Sequence, residues 1–356
     1  MNRTGVGRES SSMNRVEKTA RTVDSFQQRR PRLAFLVAVW KKFGDDRAGN
    51  LAALISFYGF AAIFPLLLVL VTLLDITMHN YPSVRGSLEH SALAQYPVIG
   101  PEILDNVRSL SGHGLPLILG LVFTGLGSRG VANAMQNALN EVWAVPLTDR
   151  PNFPWSWLRS FALIAVIGVG LIVTSVISGL ASGAGHVLTG VGASIIALAA
   201  SLAVNLGVFL LAFRLATANS VRWRDLRVGA ALAAVVWQIL LTFGGYVVSH
   251  QLHRSSSLYG TFGVVLGLMA WLYLEAEVTL YAAEVNVVLV RRLWPRALVA
   301  PPYTKADRAA HLMYARETQR DRAETIDIVV RPESGDGAEG SPRQEITTEE
   351  EAVTKS

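Results

Sequence analysis

Leu51–Leu74, LAALISFYGFAAIFPLLLVLVTLL, runs for 24 residues without a charge. At ~1.5 Å per residue, a helix of that length covers the ~30 Å hydrocarbon core of a bilayer. Pro65 lies inside it and is expected to kink it. The charges on either side agree with a membrane reading. Residues 1–50 hold 11 Lys+Arg and 5 Asp+Glu, residues 51–296 hold 13 and 10, and residues 297–356 hold 8 and 12. The middle thus has 23 charges in 246 positions, less than half the roughly 25% of ordinary soluble domains. A typical soluble enzyme is excluded. The sequence pI of 9.6 becomes a topology signal, not a nucleic-acid footprint. With no cysteine in the chain, disulfides, thiol catalysis and Cys-ligated metals are excluded as well.

Working outward, residues 1–32 are rich in Arg, Ser, Thr and Gln and read as a disordered basic tail. They hold no apolar h-region and no small-residue cleavage site, so no cleaved signal peptide is expected. Leu33–Phe43 (LAFLVAVWKKF) is too short to span and reads as an interfacial lead-in helix. Residues 76–114 are a polar, turn-rich connection. Further spans are expected from Leu115 to about Trp143, at Trp157–Leu180, Val191–Phe213 and Gly229–Val248, and in Leu258–Val290. Six spans occupy residues 33–296, with no internal repeat. Residues 297–356 read as a charged, mostly disordered tail, with a solvated helix at Lys305–Asp327. Deleting residues 1–28 and 331–356 is therefore expected to leave membrane insertion intact.

Orientation follows from Lys and Arg near the span ends. Lys41, Lys42, Arg47, Arg150, Arg159, Arg214, Arg222, Arg224, Arg227, Arg291, Arg292 and Arg296 fall on one side, and Arg85, Arg108 and Arg254 on the other. Twelve against three puts both termini in the cytoplasm. The fold class is all-α: a polytopic membrane protein with six transmembrane helices and an N-terminal interfacial helix.

Two segments carry a family resemblance. Gly49–Pro65 (GNLAALISFYGFAAIFP) resembles the first span of the YihY/BrkB family of bacterial inner-membrane proteins. Leu258–Asn286 (LYGTFGVVLGLMAWLYLEAEVTLYAAEVN) resembles its closing segment through Tyr259, Gly260 and Gly263, then Trp271, Leu272 and Tyr273, then Ala283, Glu284 and Asn286. The chain departs from that pattern at Ala282, where the family usually has Gly, and at Glu275 and Glu277. The resemblance covers roughly residues 33–295. It implies six spans, a cytoplasmic N-terminus and a plasma-membrane location, with no settled activity beyond an old ribonuclease label.

Polar residues inside spans are the candidates for function. Arg129, Asn133, Gln136, Asn137 and Asn140 fall in a sector of about 100° on one helix, with Glu141 at its edge. A stripe like this does not face lipid, because a charge near the bilayer centre costs ~2.5–3.5 kcal/mol even on insertion scales. In the last span Tyr273, Glu277, Tyr281 and Glu284 share a face, with Glu275, Thr279 and Asn286 opposite. These residues either glue helices together or line a path for cations or protons. Arg129 is expected to pair with Glu277 or Glu284. Gly260, Gly263 and Gly267 are expected to allow close helix approach. His79, His90, His113, His186, His250 and His253 match no metal spacing. Nuclease chemistry needs clustered carboxylates or His and Asp ligands on a metal beside a basic groove, and the acidic residues here are scattered.

The candidate polar path or helix-pairing set is therefore Arg129, Asn133, Asn137, Asn140, Glu277, Glu284 and Asn286. No catalytic, cofactor or metal residue is expected, and the chain is not read as an enzyme. The function expected is permease-like transport of an unread small-molecule or lipid substrate. The alternative is a non-transporting envelope scaffold. The partners implied are the lipid bilayer and a second copy of the chain, and no nucleic acid.

Overall fold

The computed structural model describes residues 18–63, 115–183, 191–299, 303–321 and 324. Pro65, Asp75, the connection 76–114 and the histidines within 79–113 and at 186 lie outside them. Among the described residues all regular structure is helical. Helix α1 covers residues 18–28, α2 Pro31–Asp45 and α3 Ala48–Ile63. Next come α4 (Leu115–Val142), α5 (Trp155–Gly183), α6 (Val191–Ala216), α7 (Arg227–Arg291) and α8 (Lys305–Glu317). Three stretches are long and apolar enough to cross a bilayer: Trp155–Thr174, Ile195–Ala216 and Val265–Arg291. Large apolar side chains point outward from α5 and α6, with Ile172 65% and Ile196 64% exposed. A soluble protein would bury that surface; a bilayer solvates it.

Helix α7 is assigned as 65 continuous residues, including His250–Ser257, which the sequence reading treats as a connector. A straight helix would hold residues 229 and 286 about 85 Å apart at ~1.5 Å per residue. Instead the Gly229 N–H donates to Asn286 Oδ1 at 2.6 Å. The helix must therefore double back, and arms of equal rise put the reversal near residue 257. The segments expected as spans at Gly229–Val248 and Leu258–Val290 fall on the two arms, and the second holds the bilayer-length stretch Val265–Arg291.

The chain separates into two compact units. The larger contains α3–α6 and α7 up to Asn286. Helices α5 and α6 pack along their lengths, and α4 lies against both. Glycines set two of the crossings. A Cβ at Gly127 would sit 3.2 Å from Ala62 Cα, and one at Gly130 would sit 2.7 Å from the Tyr58 ring. Gly170 meets Val208 in the same way. Small residues let helix backbones approach where lipid offers no hydrophobic drive. Gly267, expected to do this too, has no neighbour within 4 Å, which corrects that expectation for this position.

The smaller unit gathers α1, α2, residues 144–150 and the chain from Val287 onward. Here the expected disordered tails need correction. Residues 18–28 are helical, and Asp24 and Gln27 are buried. Gln27 Nε2 donates to the Arg296 carbonyl at 2.8 Å, and Asp24 Oδ1 accepts from the Leu298 N–H at 3.0 Å. Burial raises the Asp24 pKa, but hydrogen bonds to the carboxylate from the Leu298 and Val299 N–H groups and from Gln27 and Gln28 outweigh it and hold the group below its ordinary value. Deleting residues 1–28 would remove these contacts, so it is not a neutral truncation.

The expected solvated helix at Lys305–Asp327 is also corrected. Helix α8 ends at Glu317 and opens with a capping box, Thr304 to Asp307, and Asp307 is fully buried. Its carboxylate accepts from Arg296 Nε (3.0 Å), the Ala297 N–H (3.0 Å), the Thr304 N–H (3.0 Å), Thr304 Oγ1 (2.8 Å) and Lys41 Nζ (3.2 Å). Arg296 in turn meets Asp45 at 2.8 Å. Composition averages over a segment and misses this, because one satisfied buried carboxylate orders a helix that is otherwise polar.

Candidate functional site

The polar stripe of α4 divides in two. Gln136 and Asn140 are buried, and both are consumed in joining helices. Gln136 Nε2 donates to Ser160 Oγ at 2.9 Å, and Asn140 Oδ1 accepts from the Ala218 N–H at 2.9 Å, just beyond the end of α6. Asn133 and Asn137 are exposed.

Asn286 on α7 has a similar joining role. Its Oδ1 takes the Gly229 N–H and its Nδ2 donates to the Leu226 carbonyl at 3.1 Å. The first N–H groups of a helix have no partner within it. The second arm of α7 thus caps the start of the first.

Arg129 does not pair with Glu277 or Glu284. Its guanidinium lies over the Trp157 ring, 3.9 Å from the centroid, and no ion pair to it occurs among the described residues. The register set by Gln136 and Ser160 puts the Arg129 backbone roughly 15 Å deeper along α5 than Trp157. The side chain therefore reaches back toward the start of α5, and a cation over an indole satisfies much of its charge. The sequence reading matched charge with charge and overlooked the aromatic face. Arg129→Ala is expected to cost only ~0.5–1 kcal/mol. A double-mutant cycle with Trp157→Ala should show coupling of that size, and a cycle with Glu277→Ala none; thermal unfolding in detergent measures both.

On α7, Tyr273, Glu277, Tyr281 and Glu284 recur at spacings of four, four and three along one helix, which places them on one face. Glu284 is fully buried, whereas Glu277 and the two tyrosines are half-buried. Phenol and carboxyl groups thus alternate over about three turns of an apolar helix. Such a ladder can relay a proton or hold a cation in passing. It has no geometry for hydrolysis, since Glu277 and Glu284 are two turns, ~10 Å, apart. Among the described residues no group of three His, Asp or Glu side chains could hold a metal.

Sequence reasoning missed two features. One is the Lys41–Asp45–Arg296–Asp307 cluster, of which only Thr304-x-x-Asp307 left a local signature. The other is the convergence of Arg159 and Arg214 on Asn219 Oδ1, which no spacing rule announces.

Apolar outward faces, spanning-length helices and ionisable groups confined to helix faces define a helical membrane protein. The chain belongs to the virulence factor BrkB family, whose pattern matches residues 39–304. It is 23% identical over 291 residues to the inner membrane protein YhjD of Escherichia coli, covering 77% of this chain and 86% of that one. It is 23% identical to a UPF0761 membrane protein of Tolumonas auensis, covering 72% and 85%. A Bacillus subtilis relative named as a ribonuclease-like protein, YfkH, is 23% identical, covering 73% and 96%. Some relatives are longer: the chain spans 60% of the UPF0761 membrane protein of Alcanivorax borkumensis. No solved structure matches.

Proposed function

We propose that this is a six-span, multi-pass plasma-membrane protein with both termini cytoplasmic, and that it provides a permease-like polar path. The Tyr273–Glu277–Tyr281–Glu284 ladder, embedded in a helix otherwise apolar enough to span, is the observation that carries the transport reading. Ionisable groups at bilayer depth are costly and are kept where they face water or one another.

Parity supports the span count. Contacts join residues 24–45 to 296–307, Asn140 and Arg159 to residues 217–219, and Gly229 to Asn286. Ends that meet lie on one side of the membrane, so each intervening stretch crosses an even number of times. Two crossings through α5 and α6, two through the arms of α7, and the two that the sequence leads one to expect before Asn140 make six. That side is the one richer in Lys and Arg, which by the positive-inside bias is cytoplasmic. Leu33, Leu36 and Trp40, all exposed on α2 at i, i+3 and i+7, suit an interfacial helix.

The envelope-scaffold reading rests on Gln136, Asn140 and Asn286, whose polar groups join helices. One experiment separates the two. The chain has no cysteine, so single cysteines at Asn133, Asn137 and Glu277 report alone to a charged, membrane-impermeant thiol reagent. In the transport reading all three label from the cytoplasmic side in inverted vesicles, while Ile172→Cys and Ile196→Cys stay unlabelled. Ser87→Cys should label in intact spheroplasts and the C-terminus should not. A dry Glu277 would leave the scaffold; labelling of both Ser87→Cys and a C-terminal cysteine from one side would end the six-span topology.

A further inference from the structure

We propose that Arg159 and Arg214 form a binding site for a phosphate group, an inference that stands whether or not the protein transports. Arg159 lies in the second turn of α5 and Arg214 in the last turn of α6. Their Nη2 atoms both donate to Asn219 Oδ1, at 2.5 Å and 3.0 Å. The two nitrogens are thus at most about 5.5 Å apart. The other contacts are to carbonyls: Arg159 Nη1 to Thr217 at 3.2 Å and Arg214 Nη1 to Ala218 at 3.4 Å. Neither guanidinium meets a carboxylate among the described residues. Two positive charges therefore share one neutral amide oxygen, and each still has unused N–H donors.

A uniquely folded chain has cheaper ways to hold a loop than two repelling cations. The arrangement makes sense when an anion completes it, and a tetrahedral phosphate matches two guanidinium forks better than a carboxylate, which one fork already fills. The surroundings are those of a headgroup site. Asn219 is exposed, and Trp223, 45% exposed, lies 5.8 Å from the Arg214 guanidinium carbon. Leu158 and Leu211, one position and three positions from the two arginines, are exposed apolar residues. Basic pockets between helix ends, flanked by apolar surface, suit an anionic phospholipid. A free phosphate offers the same oxygens without the acyl chains.

The test uses the full chain purified in a neutral detergent. Phosphatidylglycerol, phosphatidylcholine and inorganic phosphate are the probes, read by thermal unfolding and by lipid retained in native mass spectrometry. The site is expected to bring stabilisation by phosphatidylglycerol and none by phosphatidylcholine. Equal stabilisation by inorganic phosphate identifies the free ion as sufficient, and its failure identifies the headgroup. The Arg159→Gln/Arg214→Gln protein should keep its unliganded melting temperature or raise it, and should bind phosphatidylglycerol at least about tenfold more weakly. Should that pair not fold, Asn219→Ala, which releases both forks from their shared oxygen, should also weaken retention. Wild-type protein indifferent to both phosphate probes, or variants that retain the lipid as the wild type does, would overturn the proposal.

Discussion

Gly229→Ala is expected to prevent accumulation of folded protein. A Cβ at this position would fall on the Ala282 carbonyl oxygen and the Asn286 side-chain amide, both closer than any real Cβ contact. Neither neighbour can yield. The first is backbone in the middle of a helix, and the second is held by its bonds to the Gly229 N–H and the Leu226 carbonyl. Moving the arms apart would break both bonds and strand buried groups, each costing ~1–3 kcal/mol. With the steric term added, a loss of ~4 kcal/mol or more is expected, a large part of a typical domain's stability. Fluorescence-detected size exclusion of membrane extracts would show the monodisperse peak lost. Gly267→Ala is the control: with no atom within 4 Å and a helical position, it should be neutral or stabilise by up to ~1 kcal/mol. Equal behaviour of the two variants would mean that the arms of α7 do not meet at Gly229.

This contrast shows where the sequence is legible. Apolar stretches announce spans because each obeys a local rule, length against bilayer thickness, and α5, α6 and the second arm of α7 follow it. The stripe on α4 was legible as one polar face, since helical periodicity is local too, but only Gln136 and Asn140 of it are buried, while Asn133 and Asn137 are exposed. The partners of that stripe were not legible. Asn140 caps a loop 78 positions away and Asn286 caps a turn 57 positions away, and such pairings depend on helix order in space. Arg129 was misread for the same reason. A buried charge demands compensation, but sequence does not say whether a carboxylate or an indole supplies it, and Trp157 supplies it here. The acidic and basic tails were misread as solvated because charge usually implies solvation. Lys41, Asp45, Arg296 and Asp307 satisfy one another instead, across as many as 266 positions, and Asp24 takes the Leu298 N–H 274 positions away.

That cluster carries the second large effect, the release of α8 by Asp307→Asn. The substitution keeps the shape but removes the charge that faces Arg296 and Lys41 at 3.0 and 3.2 Å. Removing one partner of a buried ion pair costs ~3–5 kcal/mol, because the other is left buried and under-compensated. Arg296 keeps Asp45, so the lower end, ~3 kcal/mol, is expected, or roughly a hundredfold in the opening equilibrium of α8. Trypsin cleavage at Arg308 and Arg316 under native conditions should accelerate by about that factor where opening is fast and reversible. Glu317→Ala removes the 2.9 Å pair with Arg150 at the other end of the helix. It should change the rate by less than about fivefold, since partly exposed pairs contribute ~0–1 kcal/mol.

Acid should act on the same cluster in one direction. Burial raises the Asp307 pKa, but the N–H groups of Ala297 and Thr304, the Thr304 hydroxyl and Arg296 outweigh it and hold the carboxyl well below its usual range. A depressed pKa contributes stability above the unfolded value, near ~3.9, which is lost as pH falls through the folded value. Cleavage of wild-type protein should therefore be flat from about pH 5 to 8 once corrected for trypsin's own activity, with opening only in stronger acid. In Asp307→Asn the high rate should persist across that range. A wild-type rate that climbs between pH 7 and 5 would mean that another group holds α8 in place.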